Sequence, residues 1–316
     1  MQAVLDAMTG KSIDGLTAVE ARKQPTPADA VKIVMTKKLG KLPIADAMMK
    51  VEDKTYGPNH NAVRIYTPKG IGPFPVVLYF HGGGWVIGTI DAYDASPRAI
   101  ANASGAIVVA ASYRQAPENK FPTAHDDAFV AYMWTIANAA SFGGDATRIA
   151  IVGESAGGNL AFDTAIRARD EKVQTPVQLT LIYPIAGSDM TTASYVTNEF
   201  AKPLSKAMMM WFVDNVFASK ADAKDPRIDL VSRIDLAGLP PTTVITAEID
   251  PLRSEGMKLA ANLKAAGIKV DAIDYKGVTH EFFGMGVAVA KAKLAEQAVG
   301  KDLKTAFANT KKVAAK

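Results

Sequence analysis

Residues 148–159 read RIAIVGESAGGN. A β-branched apolar run stops at a glycine, and a helical pattern begins two residues later. Across the junction, Gly153-Glu154-Ser155-Ala156-Gly157 spells G-x-S-x-G. The pattern alone arises often by chance. Its placement between a strand and a helix is what a tight turn presenting a nucleophilic serine requires. Gly153, Gly157 and Gly158 leave space for that turn and for the helix to pack on the strand. A plain glycine-rich strand–helix turn is the bland alternative, and the setting argues against it.

The surroundings carry the same rhythm. Short β-branched runs recur as AVRIYTP, PVVLYF, AIVVAAS, RIAIVG, VQLTLIYP, TTVITAE and VDAIDY. From PVVLYF onward they are nearly continuous rather than alternating, as strands covered on both faces are. Helical patterns around 92–103, 122–141, 156–170 and 254–266 lie between them. This alternation predicts an α/β fold: a mostly parallel central sheet with helices on both faces. Two segments break the rhythm. Residues 1–50 are helical before any strand. Residues 186–225 interrupt the sheet with LSKAMMMWFVDNVF, whose apolar residues cover every side of a helix and predict one enclosed on most sides. Together they are expected to form a helical cap, dividing the chain into 1–50 and 186–225 as cap and 51–185 and 226–316 as core.

Ligands of parallel sheets sit outside the carboxyl ends of the strands, so the residues after each run are the ones to inspect. A serine hydroxyl needs a base. The chain has four histidines. His60 precedes an early strand, and His125 lies within a helical pattern. His81 opens a glycine run, where it is expected to hold the loop by hydrogen bonds. His280 follows the last run and is expected to be the base. The base needs an acid to fix its tautomer. Asp250 follows TTVITAE and precedes Pro251, which biases it towards extended angles. Glu248 and Asp274 fall within strands and are weaker candidates. The resulting order, Ser155, Asp250, His280, is that of α/β-hydrolases.

The run HGGGW at 81–85 then acquires a purpose. Attack on an ester carbonyl creates an oxyanion that needs preorganised N–H donors. Bare backbone at Gly83 and Gly84 can supply two, and Ala156 at the start of the following helix a third. Close approach of the substrate is therefore expected to be the main reason for the glycines. Trp85, Met209, Trp211 and Phe212 are expected to contribute to a substrate pocket of a few hundred Å³.

Composition excludes other classes. There is no cysteine, which removes disulfides and thiol chemistry. The net charge of +4 is small, and Lys301, Lys304, Lys311, Lys312 and Lys316 read as a solvated final helix, not a nucleic-acid stripe. No apolar stretch reaches the length of a membrane span. The first residues lack the basic start and apolar run of a signal peptide, so a soluble, cytoplasmic protein is expected. GKS at 10–12 lacks the earlier glycine of a phosphate loop, and His280-Glu281 lacks the second histidine of a zinc helix.

The motifs HGGGW, YRQAPENKFPTAHDDA at 113–128, GESAGGN at 153–159, DPLRSEG at 250–256 and HEFFG at 280–284 resemble those of the bacterial hormone-sensitive lipase-like (family IV) carboxylesterases. The resemblance spans about residues 60 to 285. It implies an α/β-hydrolase core with a helical cap and hydrolysis of short- to medium-chain esters, optimal near four to eight carbons. It implies no cofactor and allows a homodimer through the last sheet strand; from the residues themselves no metal site is expected. Glu154 stands where Asp or Thr is common in that family, and Glu281 where Gly is common. An amidase or peptidase with the same triad, or a non-catalytic small-molecule-binding protein of the same fold, is the rival reading.

Overall fold

Strand residues that alternate sides decide how the layers assemble. A computed structural model of the protein describes residues 1–41 and 45–314. Among them, eight strands form one sheet: β1 (Lys50–Tyr56), β2 (Asn61–Thr67), β3 (Phe74–Phe80), β4 (Ile107–Ala111), β5 (Gly144–Glu154), β6 (Leu179–Ile182), β7 (Thr242–Ile249) and β8 (Val270–Thr279). Their spatial order is β1-β2-β4-β3-β5-β6-β7-β8. The β1–β2 and β2–β4 pairs are antiparallel, and β4 through β8 run parallel.

The ten α-helices among the described residues are α1 (Gln2–Asp6), α2 (Ala18–Ala21), α3 (Pro27–Leu39), α4 (Ala95–Ser104), α5 (Thr123–Asn138), α6 (Ala156–Asp170), α7 (Ala193–Thr197), α8 (Lys206–Val216), α9 (Arg253–Ala265) and α10 (Ala290–Ala314). In β3, Val76, Leu78 and Phe80 join a core with α5, α6, α8 and α9. Val77 and Tyr79 join the opposite core with α3, α4 and α10. This period-2 split is the pleat itself, and it explains why the central runs are apolar throughout. On the second face α10 lies close enough to α4 that a Cβ on Gly300 would stand 2.3 Å from Ala103 Cβ.

Three findings differ from the sequence expectation. Strand β1 was not foreseen, because KVEDKTY carries almost no apolar signal; six of its seven residues are exposed or half-buried at the sheet edge. The last run extends to Thr279, which brings the strand end directly to His280. And α8 is not enclosed on most sides. Met209, Phe212 and Val216 are buried at helical spacing, Met208, Trp211 and Val213 are half-buried, and Met210 is 53% exposed. The helix lies over one end of the sheet and turns one face outward. No helix among the described residues is long and apolar enough to cross a membrane.

Candidate active site

The junction of β5 and α6 is built by sterics. Ser155 has φ 55° and ψ −118°, an outlier for a residue with a side chain. The turn is tight because its glycines admit no alternative. A Cβ on Gly153 would lie 2.0 Å from Gly157 O, and one on Gly157 would lie 2.1 Å from Phe80 O. The Ser155 amide donates to Ile182 O at 2.9 Å, tying the turn to the end of β6.

Three strand ends bring the predicted residues together. His280 Nε2 lies 3.0 Å from Ser155 Oγ, and its Nδ1 lies 2.7 Å from Asp250 Oδ2. All three are nearly inaccessible to solvent. The Asp250 carboxylate also accepts from the Leu252 amide at 2.9 Å, which orients it. Burial pulls the His280 pKa down, but Asp250, by charge and hydrogen bond, and then Glu281 and Glu154 by charge, outweigh it. The net result is a pKa above the ordinary histidine value of 6.5. The competing acids are engaged elsewhere. Glu248 accepts from the Gly277 amide, and Asp274 pairs with Arg253.

The other histidines have local duties. Burial pushes the His81 pKa down to about 4, partly offset by its bond to Gly82 O. Its Nδ1 sits 2.7 Å from that carbonyl and its ring stacks on Tyr113. Burial likewise takes His125 down to about 4, and its Nε2 contacts Asn159 Oδ1 at 2.8 Å. The Asn159 amide in turn donates to Ile185 O and Ile228 O, stitching α6 to the strand-end loops.

The glycine run is crowded by the protein itself, which corrects the emphasis on substrate approach. Gly82 faces Tyr93 Oη, where a Cβ would come within 2.7 Å. Gly83, at φ 100°, turns so tightly that a Cβ would meet Ile87 O at 2.2 Å. Gly84, at φ 57°, lies under the Phe212 ring of α8, 2.2 Å from where its Cβ would be. Gly83 and Gly84 border the same cavity as Ser155 and His280. Ala156 is fully buried at the first position of α6.

That cavity measures about 1450 Å³, well above the few hundred Å³ expected, and it is bordered by residues of 8–32 and 199–212. Met209 and Phe212 line it. Trp85 and Trp211, expected beside them, do not. Trp85 is buried against His125, and the Trp211 indole N–H donates to Leu16 O at 2.8 Å. An aromatic residue next to a loop is drawn to the nearest apolar surface, here the core beneath the glycines, and sequence proximity does not show which side that is.

The chain matches the α/β-hydrolase-fold family model over residues 77–284. It belongs to the hormone-sensitive lipase-like α/β-hydrolases. This hydrolase is 35% identical over 277 residues to carboxylesterase NlhH of Mycobacterium tuberculosis, a match that covers 84% of this chain and 86% of that one. It is 32% identical to an ethyl acetate hydrolase of Pseudomonas putida, over 88% of this chain and 86% of that one. Among solved structures, an esterase from Pyrobaculum calidifontis superposes with a TM-score of 0.84 at 35% identity, covering 92% of this chain and 94% of that one. An ester hydrolase from the Lake Arreo metagenome, complexed with a derivative of bipyridine phosphonate, reaches 0.86 at 34% identity over 97% and 96%.

Sequence reasoning missed several neighbours of the site. Tyr183, at φ 36°, places its ring centroid 4.5 Å from that of His280. Its hydroxyl donates to the buried Glu154, as does Tyr79 Oη at 2.6 Å. Burial, reinforced by the charge of Glu281 and opposed by these tyrosines, raises Glu154 to about 7. Tyr183 could have been noticed, since it stands at the end of the VQLTLIYP run. Glu154 stands out in the sequence only as a departure from the family pattern; its meeting with Tyr79 and Tyr183 has no sequence signal, because the three come from separate elements.

Proposed function

We propose that this hydrolase cleaves carboxylic esters through an acyl-enzyme. Ser155 Oγ attacks the carbonyl carbon while its proton passes to His280 Nε2. Asp250 holds Nδ1–H and so presents the correct tautomer. The carbonyl oxygen becomes an oxyanion that accepts from the Gly83, Gly84 and Ala156 amides. The C–O bond to the alcohol then breaks, and the departing alkoxide takes the proton from Nε2. Water, deprotonated by His280, attacks the acyl carbon, and the carboxylic acid leaves with Ser155 regenerated. The observation that carries the reading is the chain of contacts Ser155–His280–Asp250 at 3.0 and 2.7 Å, opening on a cavity.

The relatives' names support an ester rather than an amide as substrate. Residues 1–50 and 186–225 form the cap in this proposal, over core segments 51–185 and 226–316; Lys50 itself opens β1, and residues 42–44 and 315–316 lie outside the described residues. The 1450 Å³ cavity removes the argument for a sharp upper limit on chain length. The short- to medium-chain preference then rests on the resemblance alone.

Matched p-nitrophenyl butyrate and butyryl p-nitroanilide, assayed from pH 5 to 9, test the proposal. Turnover of the ester in large excess over the anilide is expected. So is stoichiometric labelling of Ser155 by a phosphonate, located by mass spectrometry. No turnover of either substrate would support the binding-protein reading. Comparable turnover of both would favour the amidase reading.

A further inference from the structure

Of the carboxylates that line the cavity, Glu281 is the one that contacts the His280 ring, and the triad gives it no role. Glu281 follows His280 directly and adopts φ 64°, a left-handed conformation that on backbone grounds alone belongs to glycine. A strained backbone at the edge of a reacting centre suggests that the side chain matters there. Glu281 Oε1 accepts from Tyr93 Oη at 2.8 Å and lies 3.8 Å from His280 Nε2. That is the nitrogen facing Ser155; the other is already held by Asp250. Glu281 and Tyr93 border the cavity together with Ser155 and His280. The imidazole thus has one carboxylate at each nitrogen.

We propose that Glu281 is a positioning residue for the reaction: tethered by Tyr93, its carboxyl group stands on the Nε2 side of His280 and, when charged, favours the imidazolium. The inference rests on the reading of His280 as the base. The groups facing that ring are Asp250 after β7, Ser155 at the β5–α6 turn, Glu281 itself, the Tyr183 ring after β6, Glu154 at the end of β5 and Tyr93 before α4. The buried Glu154 carboxyl, held by Tyr79 and Tyr183, adds charge from below when ionised. Favouring the imidazolium assists removal of the Ser155 proton. It also holds His280 protonated to a higher pH, where the protonated ring cannot act as base.

The pH dependence of kcat/KM for p-nitrophenyl butyrate tests this. Glu281→Gln retains an oxygen that can accept from Tyr93 and removes only the charge. Its acidic limb is expected about one pH unit below that of the parent enzyme, from the charge interaction across 3.8 Å even at aqueous screening. At acidic pH the variant is then more active, relative to its own plateau, than the parent. Tyr93→Phe releases the tether and is expected to move the limb in the same direction by less. A role confined to packing the loop would lower the plateau and leave the limb in place. Superimposable limbs in both variants overturn the proposal. If Glu281→Gln does not fold, Tyr93→Phe alone decides, read also by the rate of phosphonate labelling of Ser155 against pH. The underlying reading fails separately. A His280→Gln variant that keeps both activity and the limb refutes His280 as base, whereas an inactive His280→Gln beside an unmoved Glu281→Gln refutes only the role of Glu281.

Discussion

The β5–α6 turn and the cap helix α8 meet at the same cavity, yet they are specified in different ways. In the turn, one constraint is local and fixes the spacing of the motif: Gly153 must leave room for the Gly157 carbonyl four positions on, while Gly157 packs on Phe80 O at the end of β3. In α8, the neighbours that matter are distant: Phe212 rests on Gly84, and Trp211 reaches Leu16. Local constraint leaves a motif that can be read directly. Long-range constraint leaves only an apolar helix whose faces cannot be ranked. The comparison predicts that substitutions in the turn abolish chemistry, while those in α8 alter selectivity.

The strongest expected effect is that of Ser155→Ala, which should lower kcat by ~10⁴–10⁶ while the circular dichroism spectrum and Tm remain those of the parent. Appreciable residual turnover would place the nucleophile elsewhere. Asp250→Asn should follow, near ~10⁴, because an amide cannot hold the Nδ1 proton in the required tautomer. Glu248→Gln, on a half-buried residue whose carboxylate accepts from the Gly277 amide, should cost at most a few-fold. The opposite ranking in steady-state kinetics would move the acid to Glu248.

Gly84→Ala probes the seam between the two regions. Its Cβ would collide with Phe212 and its φ of 57° suits glycine. Displacing one oxyanion donor typically costs about 10²-fold in kcat. Adding Phe212→Ala should restore part of that loss, because the clash is relieved and only the backbone cost remains. A double variant no faster than the single one would show that the cap does not press on the donor loop.

Smaller effects are expected further into the cap. Met209→Ala should shift kcat/KM towards longer acyl chains by a few-fold in a p-nitrophenyl series from acetate to palmitate, at roughly 0.8 kcal/mol per buried CH₂. Trp211→Phe should leave that profile in place, since its indole faces Leu16 and not the cavity. Equal shifts in both would mean that the cap moves as a unit.

On the turn side, pH separates activity from stability. The parent's activity should rise through a pH above 6.5, as His280 loses its proton. Stability should run the other way through Glu154. Its folded pKa of about 7 exceeds the unfolded 4.5, so the folded state binds the proton more tightly between them. Its contribution is complete below pH 4.5 and is lost as pH rises to 7, on the order of 3 kcal/mol. Glu154→Gln should flatten that part of the Tm–pH curve by a few degrees, and an unchanged curve would assign the slope to other groups.

By itself, the sequence determined the sheet from β2 onward, the glycine turn at Ser155 and the strand ends that carry Asp250 and His280. Strands covered on both faces must be apolar throughout, and a turn this tight must be glycine at set positions, so both requirements are written at single residues or in short runs. The competition between Asp250, Glu248 and Asp274 was also legible, because the strand pattern shows which carboxylate stands past its end. Tertiary structure decided the rest. The polar β1 is a strand only because β2 offers it hydrogen-bonding partners. Trp85 lies in the core because the loop twists its side chain away from the cavity, and Met210 is exposed because α8 covers the sheet with one face only. The carboxyls of Glu154 and Glu281 acquire raised pKa values from burial and from charges brought in by other elements. Burial and through-space charge depend on which surfaces meet, and a one-dimensional pattern of side chains carries that information only where the partners are close along the chain.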